Sequence, residues 1–310
     1  MGLIQGGQLL RPDTLWSGHE LIPLHKVPGP IRRLLKRPVH GCYSLYGYYS
    51  SARRARRPYE FVYILSHMRS GSSLLTHLLV SNPDVCGFGE AHIRYSTPRS
   101  FNTLIGKVLF SLRRTPGSVS ERYVLDKVLL NHLLTYENVN LLGDEKSRVI
   151  FLLREPAATL PSIMKFLNYS EQQAVDYYIS RLAMLEKYAR ELSRHKHCVM
   201  LTHDQLLYST DKIFGMLERF LDLQQPLSET YQVLRTTGRG GIGDPSKNIR
   251  AGFIIREQTK PKAAPISPES LNSAGQAFEH CRATLAQYCE SVDSEQSEAC
   301  EAALPPVSAS

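Results

Sequence analysis

The sequence predicts an α/β fold, a doubly wound parallel sheet flanked by helices, from two kinds of segment and their alternation. Short apolar runs rich in β-branched and aromatic residues occur at 61–65, 123–130, 148–153 and 198–201. Such runs are typical of strands inside a parallel sheet. Helical spacing of apolar residues predicts helices from near 72 and over about 156–166, 171–193, 204–223, 226–234 and 268–291. Strands that alternate with helices favour parallel strands joined by crossover helices.

A loop rich in hydrogen-bond donors joins the first strand to the first helix. Arg69-Ser70-Gly71-Ser72-Ser73 follows the strand almost directly. Gly71 lets the backbone approach a ligand, and the helix directs its N–H groups and positive dipole end at the loop. The loop therefore predicts a site for a tetrahedral oxyanion. It lacks the GxxxxGK[ST] pattern of nucleoside triphosphatases, because its basic residue precedes the glycine. A helix N-cap without a ligand is the alternative.

Two later motifs carry further cations. Arg154 closes the run 148–153, and Ser162 lies eight residues on, about two turns into a helix that begins at Pro156. Because ligands collect beyond the carboxyl ends of parallel strands, Arg154 is expected on the same rim as the 69–73 loop. Its alternative is a surface arginine at a strand end.

The second of these motifs is rich in glycine. Residues 238–244 read GRGGIGD and are followed by Lys247 and Asn248. So many glycines cost conformational entropy unless a ligand or tight turns require them. Arg239 and Lys247 make the segment a candidate flap over a phosphate, with a flexible linker as the alternative.

Together the three motifs resemble the sulfotransferases that use 3′-phosphoadenosine 5′-phosphosulfate (PAPS), over about residues 60–255. The RSGSS loop is more similar to the carbohydrate and bacterial branches than to the small-phenol branch. The resemblance implies a P-loop-like fold and a cofactor site made of Arg69, Ser70, Gly71, Ser72, Ser73, Arg154, Ser162, Arg239 and Gly240. PAPS would be the co-substrate, 3′-phosphoadenosine 5′-phosphate (PAP) the product, and no metal would be needed.

The same resemblance implies the catalytic residues. The family places a lysine on the strand between the two phosphate motifs, and Lys127 is its counterpart; its pairing with Asp126 is the structural alternative. The small-phenol branch has a histidine two residues later, where this chain has Leu129. The carbohydrate branches carry an active-site glutamate after the first helix, where this chain has Glu90, so the resemblance implies Glu90 as the general base. His92 is its rival and His132 a weaker candidate, and Glu90 could also be an ordinary polar loop residue.

Composition limits the alternatives. The chain has 310 residues, a formal net charge of +8 and six cysteines without disulfide or zinc spacing, which indicates free thiols. No apolar run is long enough to span a bilayer and no secretory pattern opens the chain, which predicts a cytoplasmic location. The eleven histidines are scattered, and neither HExxH nor paired CxxC motifs occur.

The positive charge is concentrated near the N-terminus. Nine Lys or Arg and no Asp or Glu lie between Leu21 and Tyr59. This arm could contact an anionic lipid, an acidic glycan or nucleic acid, or it could pack its tyrosines on the domain. Nucleic acid is not expected as the main partner, since no recognition motif accompanies the charge. The predicted divisions are a basic arm at 1–59, a sulfotransferase domain at 60–258, and a C-terminal helix with a mobile tail at 259–310.

Two functions from different classes follow. The first is a sulfotransferase that acts on a small-molecule, lipid or carbohydrate hydroxyl, with an acceptor pocket built from 91–121, 164–175 and the arm. The second is a non-catalytic nucleotide-binding or sensor protein of the same fold. A small-molecule kinase is a weaker third option, because no Gly-Lys-Ser/Thr follows a strand.

Overall fold

The computed structural model describes residues 4–5, 8–9, 14–17, 20–23, 29–54, 56–116, 120–192, 197–238, 248–256 and 266–292, with side chains from residue 41 onward. In chain order its elements are β1 (Ile4–Gln5), β2 (Gln8–Leu9), β3 (Thr14–Ser17), β4 (Glu20–Pro23), α1 (Gly29–Arg53), β5 (Glu60–Ser66), α2 (Ser72–Val80), β6 (Val85–Cys86), α3 (Arg99–Ser111), β7 (Tyr123–Val128), β8 (Ser147–Leu153), α4 (Pro156–Leu167), α5 (Glu171–Leu192), β9 (Cys198–Thr202), α6 (His203–Tyr208), α7 (Thr210–Leu221) and α8 (Pro268–Tyr288). Short 3-10 helices cover Tyr136–Leu142 and Asn248–Ala251.

The chain forms two compact units. One contains Met1–Tyr59 and Thr97–Ser120, and the other contains Glu60–Ser96 and Glu121–Ser310. The predicted divisions at residues 59 and 258 remain predictions. The predicted tail at 293–310 lies outside the described residues.

The larger unit is built on a five-stranded sheet in the order β6-β7-β5-β8-β9, with every pairing parallel. This confirms the predicted α/β fold with a parallel sheet. The chain passes from β7 on one side of β5 to β8 on the other, so the carboxyl end of β5 lies at the point where strand order reverses. Ligands bind at such points in open α/β sheets. The register sets Ile64 beside Lys127 and Ser66 beside Leu152, so the ends of β5, β7 and β8 form one rim.

Helices cover this sheet because its strands are apolar on both faces. Val62, Ile64, Ile150 and Leu152 are fully buried in a cluster that includes the leucines of α2 and apolar residues of α6 and α7. In the same unit α5 packs on α8 and contacts β5, and α8 also contacts β8 and β9. Burial of this kind stabilises by roughly 25 cal/mol for each Å² of apolar surface removed from water.

Two helix predictions need correction. The helix expected over 204–223 is interrupted at Ser209, whose φ of −124° and ψ of 36° end α6 before α7 begins. The helix expected over 226–234 is wrong. Thr230 forms an antiparallel bridge with Phe253, and Tyr231 donates its N–H to the carbonyl of Gly252 at 2.8 Å. A partner from a distant part of the chain satisfies the backbone here, so helical spacing alone misleads.

The smaller unit contains two short hairpins, β1–β2 and β3–β4, and the pair α1 and α3. The two helices approach each other closely at glycines. A Cβ at Gly47 would lie 1.9 Å from the carbonyl oxygen of Asn102, and one at Gly106 would lie 1.9 Å from that of Tyr43. The hydroxyl of Tyr46 also donates to the carbonyl of Arg114 at 2.6 Å. Any side chain at either glycine would therefore force these helices apart.

Candidate functional site

The loop between β5 and α2 has a backbone that few residues adopt. Arg69 has a φ of 64° and Gly71 a φ of 90°, both in the left-handed region, and Gly71 is the N-cap of α2. The hydroxyl of Ser66 lies 2.6 Å from both the Ser70 hydroxyl and the carbonyl oxygen of Leu152 on the next strand. Ser72 donates its N–H to Ser70 Oγ at 3.3 Å. These bonds hold the loop beside β8, with the N-terminus of α2 directed into it.

The second cationic motif meets this loop directly. Arg69 Nε donates to Ser162 Oγ at 2.8 Å, and Arg154 Nη1 donates to the carbonyl of Arg69 at 3.1 Å. The guanidinium of Arg69 also lies 5.3 Å from the centre of the Phe166 ring. Arg154, which the sequence assigned to the same rim as the 69–73 loop, therefore contacts Arg69, and Arg69 contacts Ser162.

A buried histidine fixes the first residues after β5. His67 Nε2 accepts the backbone N–H of Arg154 at 3.0 Å, so Nδ1 carries the proton and donates to the carbonyl of Met68 at 3.0 Å. Burial is the main reason that the pKa of His67 falls to about 4, and the charges of Arg181 and Arg154 lower it further. The imidazole is thus neutral at pH 7, and it links the ends of β5 and β8 without adding charge.

His203 closes the other side of the loop, and sequence reasoning missed it. It follows β9 directly and is 6% exposed. A Cβ at Gly71 would lie 2.3 Å from His203 Cδ2, so the imidazole packs against the glycine itself. Burial and then the charge of Arg154 lower the pKa of His203 well below its ordinary value. Its position at the carboxyl end of a predicted strand was the available signal.

The predicted catalytic residues form one chain of contacts. Lys127 is only 3% exposed, and its Nζ donates to Ser73 Oγ at 3.0 Å and lies 3.1 Å from Glu90 Oε1. Glu90 Oε2 is 3.7 Å from His92 Nε2. His132, the weaker candidate for the base, is exposed in the turn after β7. The first turn of α2 therefore contributes a hydroxyl, β7 contributes a cation, and the loop after β6 contributes a carboxylate and an imidazole to the same place.

Asp126 does not pair with Lys127, so the structural alternative is not the pair that forms. Successive residues of a strand point to opposite faces, and Asp126 accepts from the backbone N–H of Ala91 at 2.8 Å and from the Tyr95 hydroxyl at 2.6 Å. Both donors belong to the loop that carries Glu90 and His92. Asp126 therefore positions this loop, while Lys127 faces α2.

A second residue that sequence reasoning missed is Arg181 of α5, whose side chain is fully buried. It donates to the carbonyls of Ser66 at 2.9 Å and Val128 at 2.6 Å, and to Asn131 Oδ1 at 2.7 Å. Among the residues that the structure describes, no carboxylate lies within ion-pair distance of it. Arg181 therefore ties the ends of β5 and β7 together and leaves an uncompensated positive charge beneath the loop. Its signal was its place on the buried stripe of α5 with Ala174, Tyr178 and Leu185.

The two residues before the glycine-rich segment also reach this region. Thr237 Oγ1 lies 2.8 Å from Nε2 of His77 on α2, and Thr236 Oγ1 donates to the carbonyl of Phe88 at 2.5 Å. A small cavity is lined by Ser73, Thr76, His77, Phe88, Gly89, Lys127, Leu234, Thr236 and Thr237. Gly238 has a φ of 78°, and the predicted residues Arg239, Gly240 and Lys247 lie outside the described residues.

A second cavity of the larger unit is lined by none of the predicted site residues. An open cavity of about 540 Å³ is lined by Asn131, Thr135, Tyr136, Glu137, Met184 and Lys187. Within the described ranges, no group of three or more His, Cys, Asp or Glu has the arrangement of a metal site. The same ranges hold no helix of sufficient length and apolar character to cross a bilayer.

Remote likenesses to solved structures accompany this geometry. The chain is similar to the sulfotransferase domain of the olefin synthase from Synechococcus PCC 7002, at a TM-score of 0.43 and 18% identity, covering 70% of this chain and 93% of that one. It is also similar to mouse sulfotransferase SULT7A1, solved with PAP, at a TM-score of 0.37 and 14% identity, covering 60% of this chain and 66% of that one. No family model and no curated protein matches the chain. At such distance the case for a function rests on the side chains of this protein.

Proposed function

We propose that the protein transfers the sulfuryl group of PAPS to a hydroxyl acceptor. The observation that carries the proposal is the contact chain Ser73–Lys127–Glu90 beside the N-terminus of α2. An ammonium that is 3% exposed costs free energy to bury unless it is paired and hydrogen-bonded. Here it lies between a hydroxyl of the anion loop and a carboxylate. A protein that only binds a nucleotide has no need of an acidic group beside that lysine.

In this proposal two anionic groups of PAPS occupy the rim described above. The loop amides, the hydroxyls of Ser70, Ser72 and Ser73 and the N-terminus of α2 bind the 5′-phosphosulfate. Arg154 and Ser162 bind the 3′-phosphate, with Arg69 between the two groups because it contacts both Ser162 and Arg154. Arg239 and Gly240 complete the nucleotide site.

The reaction is an in-line displacement at sulfur. The acceptor oxygen forms a bond to sulfur while the bond from sulfur to the 5′-phosphate oxygen breaks, and PAP leaves with that electron pair. Lys127 stabilises the charge that develops on the departing oxygen. Glu90 accepts the proton of the acceptor hydroxyl, and His92, 3.7 Å from the other carboxylate oxygen, is the rival base. Positioning and fixed charge supply most of the catalysis, as in phosphoryl transfer.

The finer assignments belong to the same proposal. The RSGSS loop favours a carbohydrate-type or bacterial-type enzyme, and the acceptor would be a small-molecule, lipid or carbohydrate hydroxyl. A cytoplasmic location remains the prediction from the sequence. The non-catalytic sensor is the competing function, and it predicts PAP binding without transfer.

Nucleotide binding by variants tests the site. Titration calorimetry should show PAP binding to the wild type, and Arg154→Ala should weaken it by about 2–5 kcal/mol, the cost of removing one partner of a buried charge pair. Arg148→Ala is the matched control, because Arg148 lies near the opposite end of β8 and donates to the carbonyl of Glu145. PAP binding that is absent from the wild type, or that falls equally in both variants, would contradict the nucleotide site.

Transfer assays separate the two functions. With PAPS labelled at sulfur and a metabolite extract, the wild type should label an acceptor. Glu90→Gln should preserve PAP affinity yet reduce turnover about 10²-fold or more, the scale of a lost general base. Lys127→Met should reduce turnover as well. If PAP binds but no label moves with any extract, the sensor function is correct and the enzyme is not.

A further inference from the structure

Helix α1 presents an apolar surface to solvent. Leu45, Tyr48 and Tyr49 are 56%, 58% and 56% exposed, although large apolar side chains are usually covered. Residues three and four apart lie on one side of a helix, so the three side chains form a single patch. Cys42 is exposed three residues before Leu45 and extends the patch along the helix. We call these four residues the α1 patch.

The patch cannot turn inward, because the opposite side of α1 is already occupied. Tyr43, Gly47 and Ser50 are buried, and the glycine contacts with α3 require the two backbones to touch. The ring of Tyr43 also lies edge-on to Phe110 of α3, with centroids 5.7 Å apart. Rotation of α1 to cover the patch would break all of these contacts. The patch is therefore a fixed feature of the smaller unit.

Positive charge is dense in the sequence near the patch. Nine Lys or Arg and no Asp or Glu lie between Leu21 and Tyr59, and α1 spans Gly29–Arg53 within this interval. Arg53, Arg56 and Arg57, just beyond the patch, are exposed. Apolar and aromatic side chains beside exposed cations match a surface that is anionic outside and apolar a few Å below, which is the cytoplasmic face of a lipid bilayer.

We propose that the α1 patch and its neighbouring arginines form a docking surface for anionic lipid membranes. Tyrosine suits the boundary between headgroups and acyl chains because its ring is apolar and its hydroxyl is polar. Leu45 adds apolar area that a nucleic acid would not bury, so lipid fits the patch better than a polyanion without an apolar layer. The contact is peripheral and does not depend on the sulfotransferase proposal, since it uses none of the residues proposed to bind PAPS or to catalyse transfer.

Vesicle co-sedimentation of the full-length protein tests the proposal. The protein should bind vesicles that contain phosphatidylserine and not vesicles of phosphatidylcholine alone, and about 1 M salt should release it, since the Debye length then falls to about 3 Å. Arg56→Gln/Arg57→Gln should weaken binding about 25-fold, because each cation near such a surface contributes about 1 kcal/mol, or roughly fivefold. Lys212→Gln/Arg219→Gln on α7 removes two exposed cations elsewhere and should change binding little.

The apolar component has its own variant. Leu45→Gln/Tyr48→Gln/Tyr49→Gln keeps the charge and uses a good helix former, and it should weaken vesicle binding at least tenfold. Tyr208→Gln, at a tyrosine that is 68% exposed, is the control. Circular dichroism and thermal unfolding check that each variant folds. Absence of binding by the wild type overturns the proposal. Full binding by the triple variant also overturns it. Charge alone would then explain the binding, and the protein should bind random-sequence duplex DNA as well as it binds the vesicles.

Discussion

At the residue scale, the rim of the sheet separates groups that shape the loop from groups that carry charge. Ser66, His67 and His203 are buried and neutral at pH 7, and they hold the backbone of residues 67–71 in place. The cations are Arg69, which donates to the Ser162 hydroxyl at 2.8 Å, and Arg154, which donates to the carbonyl of Arg69 at 3.1 Å. Contacts within the protein therefore set the conformation of this loop, through the bonds from Ser66 to Leu152 and from the N–H of Arg154 to His67.

The contact between Gly71 and His203 gives a test of this arrangement. Gly71→Ala should lower the free energy of unfolding by about 2 kcal/mol or more, because a φ of 90° is unfavourable for alanine and its Cβ would lie 2.3 Å from the imidazole. Adding His203→Ala removes the collision but not the backbone cost. Urea unfolding of the single and double variants should therefore give a coupling of about 1 kcal/mol.

Gly275→Ala is the control for this cycle. Gly275 lies within α8 and a Cβ there would meet nothing within 4 Å, so alanine should stabilise the helix by roughly 0.5–1 kcal/mol. Strictly additive effects of Gly71→Ala and His203→Ala would show that the imidazole does not press on the glycine.

At the scale of elements, α5 connects β5 and β7, two strands that are adjacent in the sheet but not consecutive in the chain. Arg181 donates to the carbonyls that end β5 and β7, and Tyr177, one turn earlier, accepts from the N–H of Met68 at 2.8 Å and donates to the carbonyl of Leu129 at 3.0 Å. Burial raises the pKa of Tyr177 to about 12, so its hydroxyl stays protonated and can donate. One face of one helix thus sets the spacing between the anion loop and the strand of Lys127.

Arg181→Met tests that role. The substitution leaves two buried carbonyls and the half-buried Asn131 amide without their donor, each buried one at a cost of about 1–3 kcal/mol, so the free energy of unfolding should fall by roughly 3–5 kcal/mol. Arg190→Met is the matched control in the same helix, since that side chain is 53% exposed and should matter by about 0.5 kcal/mol or less. Arg181→Lys retains one cation and should recover part of the loss. Equal stability of the two methionine variants in urea would contradict the connection.

The elements also show which parts of the structure the sequence could predict. Apolar runs identified β5, β7, β8 and β9, because burial on both faces leaves a signal within each segment. Residues 226–234 were misassigned because Phe253 and Gly252 supply their partners from about twenty residues away. A rule of topology places Arg154 on the rim of the 69–73 loop, and the family resemblance adds Ser162, whereas the position of His203 against Gly71 depends on packing between side chains. Arg181 was missed because arginine is rarely fully buried, even where the neighbouring residues of its helix face are apolar.

At the scale of the whole molecule, the buried imidazoles make stability depend on pH. The pKa of His67 is about 4 in the folded protein against 6.5 for an ordinary histidine, and that of His203 is also lowered. The unfolded chain therefore binds more protons than the folded one between these values. The stabilisation is fully present above about pH 6.5 and is lost as the pH falls toward 4.

We expect this effect to appear in urea unfolding measured from about pH 7.5 to about pH 4, a range that spans the folded and the ordinary pKa of histidine. The difference of about 2.5 between the two pKa values of His67 corresponds to roughly 3 kcal/mol at the acid end.

Carboxylates also titrate near about pH 4, so the informative quantity is the slope of the free energy of unfolding against pH, compared between the wild type and its variants. His67→Gln should flatten the fall in stability between about pH 6.5 and 5, where few carboxylates change charge. His280→Gln, at a histidine whose side chain is 70% exposed, should keep the wild-type slope. A His67→Gln protein with an unchanged slope would mean that His67 is open to protons in the folded state, and its bond from the Arg154 N–H would then fail to set the tautomer.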